Sequence, residues 1–155
     1  MRKSVAEDFR EWLKRSVNDP LIKALLENSH LTEAQFETFL IDVLSNNYHP
    51  SLANSGTKVK LRSRGEVSRG AFNRTRDQAL RNIIKSIYTI LLLGCVGVFD
   101  TSRLDPFVEL GQKLDSYVKS VKAREGALKH EKIVKLLEEE LIGSIRGLAS
   151  GRGKP

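Results

Sequence analysis

A set of helix-opening signals, each followed by the same apolar spacing, confines this chain to helices. Asp19-Pro20 and Asp105-Pro106 each place a capping carboxylate before a proline in the first helical turn, where the missing N–H costs nothing. Thr32 with Gln35 three residues on reads as a capping box, and Ser68 as the N-cap of a long helix. Behind these signals apolar residues return every three or four positions. Phe36, Phe39, Leu40, Val43 and Leu44 do so first, then Phe72, Ala79, Leu80, Ile83, Ile87, Ile90 and Leu91. Phe107, Leu110, Leu114, Tyr117 or Val118, and Val121 follow, and Val134, Leu137, Leu141, Ile145 and Leu148 line one face of the last helix.

Upstream, Val5, Phe9, Trp12, Leu13 and Val17 predict a first helix over 5–17, and Leu21, Ile22, Leu25 and Leu26 a short second one. The third is expected to end at Asn46-Asn47, the long one at Gly94 and Gly97. No run of strands competes, so the expected fold is all-α with about six helices. YHPSLANSGT, from Tyr48 to Thr57, reads as the one internal loop. Lys58 to Arg62 alternates basic and apolar residues and fits a short strand or an irregular helix equally well.

The charge is as localised as the caps. The whole chain holds 26 Lys or Arg against 19 Asp or Glu, a net +7, and residues 58–85 hold nine of the bases and two of the acids. The remainder therefore balances at 17 of each. Confining the excess to one segment builds a local field that attracts a polyanion. Ser, Asn, Gln and Thr lie between the arginines, a mixture suited to phosphate contact and to base edges.

LTEAQFETFLIDVL, Leu31 to Leu44, resembles the opening helix of sigma-factor-like helix-turn-helix domains. VSRGAFNRTRDQALRNI, Val67 to Ile83, resembles their recognition helix, with small apolar Val67 before the capping Ser68 and Phe72 four positions after it. Between them, where that class places a compact apolar middle helix, this chain has an extended loop and KVKLRSRGE, with Gly65 available for a turn. The resemblance implies that the Ser68-capped helix enters the major groove. Arg69, Asn73 and Arg76 would lie on one flank, and Arg74, Asp77 and Arg81 on the next. Arg pairs bidentately with guanine and Asn with adenine. The candidate contact residues are Lys58, Lys60, Arg62, Arg64, Ser68, Arg69, Asn73, Arg74, Arg76, Arg81 and Lys85.

Other chemistries find no footing. His30, His49 and His130 have no metal-ligand spacing around them, and at His130-Glu131 an HExxH motif would need histidine where Val134 stands. Glu138, Glu139 and Glu140 are consecutive and point around a helix in different directions. No nucleophile elbow, phosphate-binding glycine loop or dinucleotide fingerprint occurs, so neither enzyme nor cofactor is expected. Cys95 is the only cysteine and is expected as a buried, inert thiol. Ile87 to Phe99 is apolar, but as a helix it reaches about two thirds of a bilayer core, which points to a core or subunit-interface helix and not to a membrane. Glu7, Asp8 and Glu11 follow Arg2-Lys3 at once where a signal peptide would turn apolar, so a cytoplasmic protein is expected.

These features together predict a duplex-DNA-binding protein, a transcriptional regulator, that works as a homodimer. Residues 1–99 would form the DNA-binding domain, 100–150 an amphipathic hairpin packed on it for dimerisation, and 151–155 a flexible tail. Two alternatives share the same charge: a helical adaptor or assembly subunit on an acidic protein partner, and a binder of structured RNA. Phe72 is the one aromatic near the arginines, which favours a duplex over stacked single strands.

Overall fold

A computed structural model describes residues 4–98 and, beyond them, Asp105, Val108, Glu109, Gly111, Gln112, Leu114, Lys135, Glu138, Glu139 and Ile142. The fold is all-α: every regular element among the described residues is helical. In chain order they are α1 (Val5–Val17), α2 (Pro20–Glu27), α3 (Glu33–Tyr48), a 3-10 turn (Pro50–Leu52), α4 (Ser55–Lys58) and α5 (Arg69–Cys95). The chain divides into two compact units, Met1–Ser86 and Ile87–Pro155.

The caps explain where the helices of the first unit begin. Ser4 and Glu7 form a reciprocal capping box on α1, with the Glu7 N–H donating to Ser4 Oγ at 3.2 Å and the Ser4 N–H to Glu7 Oε2 at 2.8 Å. Asp19 Oδ1 accepts from the N–H groups of Leu21 and Ile22 at 2.9 and 3.1 Å, and Pro20 follows it as the first residue of α2. Thr32 and Gln35 cap α3 in the same reciprocal way.

The core of this unit gathers Phe9, Leu13 and Val17 from α1, Ile41 from α3, Leu52, Val59 and Leu61 from the connection, and Phe72 from α5. The Phe9 ring meets Tyr48 edge-on at 5.1 Å and Trp12 at 5.5 Å. On α3 the buried positions are Glu37, Thr38, Ile41 and Ser45, whereas Val43, part of the expected apolar stripe, is exposed. Phe36, Leu40 and Leu44 are half-buried against the core. The stripe therefore marks a flank of α3, and three of the four residues turned fully inward are polar.

The expected loop from Tyr48 to Thr57 is more regular than its composition suggests. α3 runs on to Tyr48, and His49 Nδ1 accepts the Ser51 N–H at 3.1 Å to start the 3-10 turn. Asn54 Oδ1 accepts the Gly56 N–H at 2.8 Å to start α4. Lys58 closes α4, Val59–Lys60 is turn and Leu61–Arg62 is irregular, which settles the open choice at Lys58 to Arg62 against a strand. Gly65 then takes φ +112, a backbone region that side chains other than glycine's avoid. Ser68 caps α5 as expected, its Oγ accepting the Ala71 N–H at 3.1 Å.

α5 ends in a Schellman motif on the two expected glycines. The Val98 N–H donates to Leu93 C=O at 2.9 Å, the Gly97 N–H to Gly94 C=O at 3.0 Å, and Gly97 has φ +76. Within α5 only Phe72 and Ala79 are fully buried. In its second half Ile87, Tyr88, Ile90, Leu91, Leu92 and Val96 are all exposed, and so is the Cys95 thiol, which was expected to be buried. Apolar composition states that a face should be covered but does not name what covers it, and no described residue of this chain does so. In the second unit Asp105, Val108, Glu109, Gly111, Gln112 and Leu114 are helical, as are Lys135, Glu138, Glu139 and Ile142. The remainder of the stripes expected from Phe107 to Val121 and from Val134 to Leu148, and the tail from Gly151, lie outside the described residues.

Candidate functional site

Nine cations in one segment can be neutralised from outside it, and α3 does part of this. Lys58 Nζ donates to Asp42 Oδ1 at 3.0 Å and to the Asp42 carbonyl at 3.1 Å, while Arg62 Nε donates to Glu37 Oε2 at 3.3 Å. Both cationic side chains are only 12 % exposed. Arg64 reaches Glu33 at 2.8 Å but stays in solvent. Counting only the local acids Glu66 and Asp77 overstates the charge left over, because Glu33, Glu37 and Asp42 come in from α3.

These pairs dock the turn between α4 and α5 onto α3. Glu37 Oε1 also accepts the Ser63 N–H at 2.6 Å, so one carboxylate holds both side chain and backbone of the turn. Farther along, Asn82 Nδ2 donates to the His30 carbonyl at 2.9 Å and to Gln35 Oε1 at 3.2 Å, which ties the middle of α5 to the cap of α3. α3 thereby holds the chain at the turn before α5 and again at the middle of α5.

The remaining cations face outward. Lys60, Arg69, Arg74 and Arg81 are exposed and make no ion pair among the described residues. Asn73 is exposed beside them, whereas Arg76 is half-buried and bonds Asp77 at 3.0 Å. Lys85 is exposed and has an interaction partner. Arg69 curls over α4, where a Cβ added at Gly56 would come 3.0 Å from its Nη2. Arg74 folds back one turn, with Nη1 3.5 Å from a Cβ built at Gly70. A small recess of about 180 Å³ lies alongside, lined by Arg69, Asn73 and Arg76 from α5 and by Asp42, Ser55 and Lys58 opposite.

Of the eleven sequence candidates, the structure brings Lys60, Ser68, Arg69, Asn73, Arg74 and Arg81 to an open surface on α5 and the turn before it, and gives Lys58 and Arg62 partners on α3. Glu37 escaped the sequence reading, since its partners lie 25 and 26 residues downstream and nothing local flags it. Among the described residues no three His, Cys, Asp or Glu side chains group as a metal would require, and no helix is long and apolar enough to cross a membrane. Comparison with protein-family models, with curated proteins and with solved structures gives no match for this chain.

Proposed function

We propose that this chain is a duplex-DNA-binding protein, a transcriptional regulator, in which the first half of α5 is the reading helix. The observation that carries this reading is the exposed set Arg69, Asn73, Arg74 and Arg81 on one helix, three of them cations with no acid paired to them among the described residues. Such cations gain by displacing the counterions of a phosphate backbone, and Arg and Asn also match base edges in the major groove. α3, the short α4 and α5 would then serve as a helix-turn-helix-like unit, with α4 and the pinned turn in place of a compact middle helix.

A homodimer accompanies this reading. The exposed apolar residues of α5 from Ile84 to Val96 supply surface for self-association, and two copies about a two-fold axis would meet half-sites about 34 Å apart.

Binding of the purified chain to mixed-sequence duplex, measured by anisotropy across a salt series, tests the proposal. Four exposed cations predict a slope of log K on log salt of about −3 to −4 per protomer. No binding to duplex at about 50 mM salt would favour an adaptor on an acidic protein. Preference for double-stranded RNA over DNA of the same sequence would favour the RNA reading.

A further inference from the structure

An open cleft of about 630 Å³ lies between the start of α1, α4 and the residues leading into α5. Three cations from three separate stretches line it: Arg10 of α1, Lys60 after α4, and Arg69 of α5. All three are exposed, and none is in an ion pair among the described residues. The Arg69 guanidinium passes close over Gly56, where an added Cβ would lie 3.0 Å from Nη2.

Two hydroxyls join them. Ser4 Oγ and Ser68 Oγ both line the cleft and both accept a backbone N–H, from Glu7 and Ala71, so each retains its own proton to donate. Two carboxylates are also present. Glu7 is occupied by the Ser4 N–H, and Glu66 has no partner among the described residues and opposes an anion. Three cations against two acids leave the cleft positive, and an anion entering it would meet two planar guanidinium donors and two hydroxyl donors.

We propose that this cleft seats a backbone phosphodiester of the bound nucleic acid, and that Arg10, outside the basic segment, is one of its anchors. The inference rests on the nucleic-acid reading above and extends that interface from α5 across to α1. A contact of this kind adds affinity for every sequence and does not choose among bases.

The test compares Arg10→Gln with Arg15→Gln in the full chain. The second removes the same charge from the same helix, but at a side chain that already binds Glu11 and does not line the cleft. Arg10→Gln should weaken binding to all duplex sequences about three- to tenfold and reduce the salt slope by about 1, with Arg15→Gln unchanged. Glu66→Gln should strengthen binding. Duplex binding that responds equally to Arg10→Gln and Arg15→Gln overturns the cleft while sparing the nucleic-acid reading; absence of any duplex binding by the wild-type chain overturns both. Inorganic phosphate, followed by the amide shifts of Gly56 and Ser68, separates the sources. If it binds there in an Arg10-dependent way while Arg10→Gln leaves duplex affinity intact, the cleft takes free phosphate and the proposal fails.

Discussion

Glu37 and Arg62 meet at 3.3 Å with the Glu37 side chain 3 % exposed, and the same carboxylate takes the Ser63 N–H at 2.6 Å. A carboxylate withdrawn this far from water is tolerated only because its oxygens are satisfied. The pair holds the turn before α5 against α3, so a cation that reads in sequence as part of a binding patch is used to position the patch.

Removing one partner of that pair strands the other. Glu37→Ala should lose about 3 to 5 kcal/mol in urea unfolding, and replacing both residues by apolar ones of similar size should recover much of the loss. A single-mutant loss below about 1 kcal/mol would show that the pair does not hold the turn.

Gly65→Ala should lower stability by about 1 to 3 kcal/mol. Its φ of +112 is the cause, since nothing lies within 4 Å of an added Cβ. An unchanged Tm would mean that the turn adopts another path.

On α5, stability and binding should separate residue by residue. Phe72→Ala, in the core, should cost roughly 3 to 5 kcal/mol of folding. Asn73→Ala should leave folding nearly untouched, yet cost about 1 to 3 kcal/mol at the preferred duplex and relax its base choice, whereas Arg69→Ala, in the cleft with Lys60, should leave the base choice as it is. Lys60→Ala should weaken all sequences alike. Selection from a random duplex library for each variant measures this, and sequence-blind losses from all three polar changes would reduce α5 to a phosphate-binding patch.

The Cys95 thiol is exposed in the single chain and lies within the surface proposed for self-association, so a disulfide reagent should find it protected at high protein concentration and, after dilution, as reactive as in the unfolded chain. Strong protection that disappears on dilution would place this end of α5 in a homodimer interface, and light scattering over the same concentrations would confirm the association.

Local signals were legible and local physics explains why. A capping side chain bonds to N–H groups two or three residues away, so Asp19, Thr32 with Gln35, and Ser68 announce their helices without help from the rest of the chain. Gly65 and Gly97 are of the same kind, because positive φ is a property of one residue. Phe9, Leu13 and Val17 are also readable, since their neighbours on α1 give the face away.

The sequence alone thus determined α1, α2, α3 and α5 and their starts, the concentration of charge in 58–85 and the core face of α1. Only the tertiary structure decided which of those charges face solvent. Asp42, Glu37 and Glu33 approach Lys58, Arg62 and Arg64 across at least 16 residues of chain, and no periodicity of three or four encodes a meeting at that distance. The same holds for the inward face of α3, where Glu37 can be buried because a distant turn brings its donors. The exposed second half of α5 shows the converse: an apolar run records that surface is costly to leave in water, but whether anything covers it is decided in three dimensions, beyond the reach of sequence spacing.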